Sequence, residues 1–326
     1  MNYYGVTFFE FFIIFSQRLG LFLTGQLGLS ELASDEIQIA IFLLMGITSA
    51  LLGSLLVLRK MTMLANALSH TILLGIVIAF LISVAFAKTA ELTLANMSMS
   101  VLLIASCITA LLTTFCVQWL TRTRLFSDAS IGLVFNVFFA LGVTLVTLLT
   151  RNTHLGVEAI MGNADALHIH DLKLMSYIFL ITLASILIFF KEWHITTFDS
   201  TLAYTLGFAP KFMGYILMVL TALVAIGSFR IVGVFLFLGL LIFPTLTARL
   251  FVNRLKPLMA LACAISATLS LTSVALSRHL AAFAPLSTAG IFITLMAFAY
   301  ASAIAIKAFG HKKTLLASEE SLMTNQ

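Results

Sequence analysis

Asn66 and His70 stand within one long apolar run of the chain, in Leu64-Ala65-Asn66-Ala67-Leu68-Ser69-His70-Thr71. Four residues apart on a helix, they stack on one face and can point at a single ion or water. A neutral imidazole nitrogen is a good ligand for zinc, iron or manganese, whereas an amide oxygen is a weaker, hard donor. Two such ligands leave a coordination shell incomplete, so the chemistry they suit is brief contact with a passing cation. The competing reading is that His70 hydrogen-bonds Asn66 or a carbonyl across a helix interface and only fixes packing. A second cluster, His154, Glu158, Asp165, His168, His170 and Asp171, shares one loop. Its His-x-His-Asp spacing suits a transition metal, and an acidic, His-bearing vestibule attracts cations. A solvated loop that docks a partner protein fits the same residues. Asn136 is a hydrogen-bonding candidate across a pathway, with helix packing as its plainer reading.

The elements that must position these groups follow from composition. Of 326 residues, 61% are hydrophobic and 10% charged, against roughly 25% charged in an average soluble domain. So few polar residues cannot cover the surface of a water-soluble core, which excludes a soluble globular enzyme. A membrane span needs roughly 20 apolar residues. Nine stretches qualify: Ile37 to Leu58, Met61 to Ala87, Met97 to Leu120, Ala129 to Thr150, Leu172 to Phe190, Phe212 to Phe229, Ile231 to Leu250, Pro257 to Ser277 and Pro285 to Ala308. The expected fold is an all-α polytopic integral membrane protein with about nine transmembrane helices. The break between the sixth and seventh is expected at Gly227-Ser228-Phe229-Arg230, as a turn or a re-entrant element.

The formal charge of +5 is spread in ones and twos and forms no nucleic-acid patch. If connections alternate sides, Arg59, Lys60, Arg122, Arg124, Lys191, Lys211, Arg249, Arg254, Lys256, Lys307, Lys312 and Lys313 share one side, against Lys88, Arg151, Lys173, Arg230 and Arg278 on the other. The positive-inside rule puts the first group and the C-terminus in the cytoplasm. Residues 1–36 read as an interfacial amphipathic segment retained in the protein, 37–309 as a transmembrane domain, and 310–326 as a mobile cytoplasmic tail. Cys107, Cys116 and Cys263 sit singly in apolar runs and form no disulfide or thiolate pattern.

No Gly-x-x-x-x-Gly-Lys-Ser/Thr motif occurs, so energy from ATP would have to come from a partner. No predicted span carries an Asp or Glu in its interior, which weakens a proton-coupled carrier. A Ser-His-Asp arrangement and a His-Glu-x-x-His motif within a span are also missing. Transport is the class that remains.

Several segments then fall into a pattern. The run from Val57 to Gly75, containing Arg59-Lys60-Met61-Thr62 and Asn66 to His70, resembles the signature of the permease subunits of bacterial ABC importers for zinc, manganese and iron. Thr123 to Gly132, Phe198 to Gly207, Val232-Gly233-Val234 through Pro244 to Arg249, and Pro285 to Gly290 match further motifs in order. The resemblance spans about Ile37 to Phe309. It implies an ATP-driven importer of a divalent transition metal ion, manganese, iron or zinc, in a bacterial inner membrane. It further implies partners: two cytoplasmic ATPase subunits, a second permease copy or paralogue, and an extracytoplasmic metal-binding protein. The chain itself would be no enzyme and bind no resident cofactor; ATP would be used by the partner subunit.

In that family the signature helix presents an acidic residue and, four later, a His. Here His70 is retained and Asn66 takes the acidic position, so the implied metal contacts are His70 and Asn66. Leu74 stands where such permeases often have Pro. The segment from Lys191 to Pro210 is the implied ATPase contact, with a short helix capped by Asp199, presenting Leu202, Ala203 and Leu206 and ending at Gly207. The alternatives from other classes are an ATP-independent cation channel or secondary metal carrier, and a structural membrane partner in which His70 only packs.

Overall fold

A computed structural model describes residues 7–24, 28, 31–87, 99–122, 125–150, 164–165, 167–281 and 286–323. Its helices are α1 (Phe8–Leu23), α2 (Ser34–Leu58), α3 (Thr62–Ala87), α4 (Met99–Arg122), α5 (Ser127–Thr150), α6 (Ile169–Ile188), α7 (Phe190–Phe198), α8 (Ser200–Thr205), α9 (Pro210–Phe251), α10 (Leu255–Leu280) and α11 (Thr288–Met323). Among the described residues there is no strand. Helices are the expected solution in lipid, where each backbone polar group must be satisfied within its own segment.

Seven segments among the described residues are long and apolar enough to cross a membrane: α2, Ala129–Leu148 of α5, α6, Pro210–Phe229 and Ile231–Phe251 of α9, α10, and Thr288–Phe309 of α11. The expected count of about nine is therefore met by seven. Helices α3 and α4 carry the shorter apolar stretches Asn66–Ile82 and Cys107–Thr121.

The most enclosed helix is α2, which packs on α10, α9 and α6. Lipid tails are as apolar as Leu, so its burial depends on close backbone approach and hydrogen bonds rather than on escape from water. A Cβ added at Gly53 would lie 1.8 Å from the Leu241 carbonyl oxygen, and one at Gly46 would lie 2.5 Å from Ser266 Oγ. Ser270 Oγ donates to the Phe42 carbonyl at 3.1 Å across the α2–α10 contact. On the other flank Phe42 stacks on Phe292 of α11, with centroids 5.4 Å apart.

The expected break at Gly227-Ser228-Phe229-Arg230 lies elsewhere. Gly227 and Ser228 are buried and helical, and Ser228 Oγ donates to the Val224 carbonyl at 2.7 Å, a back-bond that a helix tolerates. The helix is interrupted at Gly233, with φ 79° and ψ 171°. Only glycine adopts that conformation without a steric penalty.

Helix α1 has 16 residues, about 24 Å at 1.5 Å per residue, and is not among the spanning segments. It is tied to α2 by an Arg18–Glu36 ion pair, with Arg18 Nη2 also donating to the Glu31 carbonyl at 3.1 Å; it also packs on α10, and its Phe11 is buried. At the other terminus, the tail expected to be mobile from Gly310 continues α11 as helix to Met323.

At the end of the bundle where α2 starts and α10 stops, a polar cluster is buried. Arg278 Nε lies 2.7 Å from Asp35 Oδ1, and its Nη2 donates to Gln38 Oε1 at 2.8 Å. Gln38 Nε2 donates to the Ala164 carbonyl at 2.7 Å and to Asp165 Oδ1 at 3.2 Å. The Thr288 hydroxyl donates to Asp165 as well, and lies 2.8 Å from Ser277 Oγ. Four pieces of chain, α2, the 164–165 turn, α10 and α11, are joined there by charge.

Candidate metal pathway and coupling segment

Helix α3 begins three residues after α2 ends and runs unbroken through Leu74, consistent with the missing Pro. It is wedged between α4 and α5. A Cβ at Gly75 would lie 1.9 Å from Thr109 Oγ1, and one at Gly142 of α5 would lie 3.0 Å from the Leu74 nitrogen. The Thr71 and Thr113 hydroxyls lie 3.2 Å apart, adding a polar tie to α4 beside His70.

His70 is half-buried, and its ring faces Phe135 and Phe139 of α5, with centroids 5.3 and 5.5 Å away. Those two rings stand four residues apart and stack at 5.8 Å. The pair fixes the imidazole plane by contact with two aromatic surfaces, whose faces also attract a cation. Asn66 is half-buried one turn earlier on the same face of α3. The sequence reading missed the Phe135–Phe139 pair, although its i, i+4 spacing was a visible signal.

Asn136 does not join this group. It is exposed on α5 together with Leu133, Val137 and Leu141, on a different face from Phe135 and Phe139. Of the second cluster, His154 and Glu158 lie outside the described residues. Asp165 is engaged by Gln38 and Thr288, and Asp171 accepts from the His168 backbone N–H at 3.1 Å as a cap on α6. His168 and His170 are exposed. Among the described residues no three His, Cys, Asp or Glu side chains gather to hold a metal ion.

The segment after α7 folds as its residues dictate. Asp199 Oδ1 accepts from the backbone N–H groups of Thr201 and Leu202, both at 2.9 Å, so it caps α8. Gly207, with φ 84°, ends the turn in the left-handed conformation. Leu202 and Leu206, four apart, share an exposed face at 49% and 55% exposure. Ala203 was expected beside them and instead points inward, fully buried. One residue along a helix rotates by about 100°, which takes Ala203 off the outer face.

Arg59, counted from sequence only as a topological charge, reaches from the end of α2 to α7. Its guanidinium lies 5.3 Å over the Trp193 ring, and Nε donates to Thr197 Oγ1 at 3.2 Å and Nη2 to Thr196 Oγ1. Burial pulls its pKa down to about 10, so it stays charged at neutral pH.

Residues 36–307 match the ABC 3 transport family. The chain belongs to that family. Members similar to it along nearly their whole length include a "probable metal transport system membrane protein" of Chlamydia muridarum, 35% identical over 306 residues that cover 93% of each chain. The manganese transport system membrane protein MntD of Bacillus subtilis is 32% identical and covers 81% of this chain and 89% of its own. Among solved structures, PsaBC from Streptococcus pneumoniae in complex with Fab superposes with a TM-score of 0.69 at 26% identity, covering 85% of this chain and 92% of that one. The expected region of resemblance, Ile37 to Phe309, agrees with the ABC 3 match to within two residues at each end.

Proposed function

We propose that the chain is the membrane-spanning permease subunit of an ATP-driven importer of divalent transition metal ions. The observation that carries this reading is the ABC 3 match over residues 36–307, together with relatives named for metal and manganese transport. The chain has no nucleotide-binding motif of its own, so hydrolysis belongs to cytoplasmic ATPase subunits; a second permease and an extracytoplasmic metal-binding protein complete the assembly. In this reading α3 and α4 cross the bacterial inner membrane with the seven segments above, making nine spans, and the C-terminus is cytoplasmic by the positive-inside rule.

The metal is cargo. His70 contacts it in passage through an imidazole nitrogen, with its ring oriented by Phe135 and Phe139, and Asn66 offers an amide oxygen from the same face of α3. An amide in place of a carboxylate holds a divalent ion more weakly, so the remaining donors come from elsewhere in the assembly. The second permease is then a paralogue that supplies the carboxylate. The exposed Leu202–Leu206 face of α8, with Asp199 and Gly207 fixing its two ends and Ala203 anchoring its inner side, seats on the ATPase subunit. Manganese, zinc and iron all suit an imidazole donor.

The deciding experiment is metal uptake into vesicles holding the complete assembly, with and without ATP, for wild type and His70→Ala. ATP-dependent uptake that collapses in the variant supports both the importer and its ion contact. ATP-independent flux would replace this reading with a channel or carrier. ATP-dependent uptake indifferent to His70 would remove His70 from the path.

A further inference from the structure

We propose that Arg59 is the positioning residue through which movement of the ATPase-contacting segment reaches the metal-contacting helix α3; this rests on the importer reading above. Only Arg59, Lys60 and Met61 join α2 to α3. The end of α2 is firmly closed: Lys60 N donates to the Val57 carbonyl at 3.2 Å and Met61 N to the Leu56 carbonyl at 2.8 Å, with Lys60 in the left-handed region at φ 57°. This closure normally places glycine at that position. The connection is therefore a defined corner with one stiff side.

The Arg59 side chain leaves this corner for α7. It lies over the buried Trp193 ring and donates to Thr196 and Thr197, on the last two turns of α7. Trp193 is itself fixed, its Nε1 donating to the Ser185 carbonyl of α6 at 3.3 Å. Two residues beyond Thr197 stands Asp199, the cap of α8. A push on the exposed Leu202–Leu206 face thus reaches the guanidinium through one turn of helix. A planar guanidinium that stacks and donates in a fixed fork holds an angle as well as a distance, which an ammonium does not.

The corner itself borders open space, with Arg59 and Lys60 at its edge. A cavity of about 610 Å³ is lined by Met61 and Met63 on one wall and Ile242 and Leu246 of α9 on the other. The first turn of α3 consequently has room to shift when α7 moves, whereas its later turns are clamped at Gly75 and Gly142. His70 lies between the free start and the clamp, eight residues after Thr62. A tilt begun at the corner is largest at the start of α3 and displaces His70 before it is lost at Gly75. Coupling through a packed chain of this kind needs a measured energetic link, and the arrangement names the residue to test.

The experiment uses the assembled transporter in vesicles and reads metal taken up per ATP hydrolysed, for wild type, Arg59→Lys, Arg59→Gln and Thr197→Val. The proposal expects this ratio to fall at least fivefold in both Arg59 variants and about twofold in Thr197→Val, with hydrolysis continuing. A purely structural role would lower uptake and hydrolysis together and leave the ratio alone. A ratio within experimental scatter of wild type in every variant that assembles, Thr197→Val included, overturns the proposal. A wild-type assembly that shows no ATP-dependent uptake overturns the importer reading and this inference with it.

Discussion

Arg278 near the end of α10 and Asp35 in the first turn of α2 stand 2.7 Å apart with both side chains at or below a tenth exposed, although 243 positions separate them in sequence. A charge pair this enclosed is a register device more than a source of net stability, because desolvation offsets most of the attraction. Removing Asp35 takes away the nearest carboxylate and leaves the buried guanidinium to Gln38 and to Asp165 at 4.0 Å. Asp35→Ala is expected to cost about 3–5 kcal/mol, and a matched apolar pair, Asp35→Leu with Arg278→Met, is expected to recover most of that loss. Thermal unfolding in detergent measures both, and an unaltered midpoint in Asp35→Ala would show that Gln38 and Asp165 suffice to hold Arg278.

Glycine substitutions separate close packing from intrinsic helix preference. At Gly53 a methyl group would overlap the Leu241 carbonyl oxygen of α9, so Gly53→Ala should force α2 and α9 apart and destabilise by about 1–3 kcal/mol. At Gly20 of α1 nothing lies within 4 Å of an added Cβ, and Gly20→Ala should stabilise α1 by up to about 1 kcal/mol. The contrast is read from melting midpoints of the two variants in one detergent, and equal shifts would refute the close approach of α2 to α9.

On α8 neighbouring residues should fail in different ways. Leu202→Glu places a charge on the exposed face and is expected to abolish co-purification of the ATPase subunits while the permease melts as wild type does. Ala203→Leu overfills an inward, fully buried position and is expected to lower stability by about 1–3 kcal/mol. Pull-down and melting on the same samples distinguish the two, and retained ATPase binding in Leu202→Glu would move the contact off this face.

Around His70 the substitutions have opposite signs. Asn66→Asp restores a carboxylate beside the imidazole and is expected to raise metal retention at least tenfold and to slow release. Phe135→Ala removes one of the two rings that hold the imidazole and should weaken retention about tenfold with His70 intact. Equilibrium binding of manganese or zinc to the detergent-solubilised assembly reads both, and an unchanged affinity in Asn66→Asp would turn position 66 away from the ion.

Residue order alone specifies that the chain lives in a membrane, where most of its helices run, which termini of those helices carry basic residues, and that Asn66 and His70 share one face of α3. These are local properties: span length follows from the 1.5 Å rise of a helix, face-sharing from its 3.6-residue turn, and caps such as Asp199 and Gly207 from short-range hydrogen bonding. Tertiary structure decided which apolar face meets protein and which is left uncovered. It turned Ala203 inward and Asn136 outward, moved the interruption of α9 from Gly227 to Gly233, and gave Arg59 and Arg278 partners that topology counting had not assigned. Hydropathy could not reveal this, because lipid and protein interior are equally apolar and exert the same preference on a side chain. What distinguishes them is close backbone approach and a hydrogen-bonding partner, and both come from helices distant in the sequence.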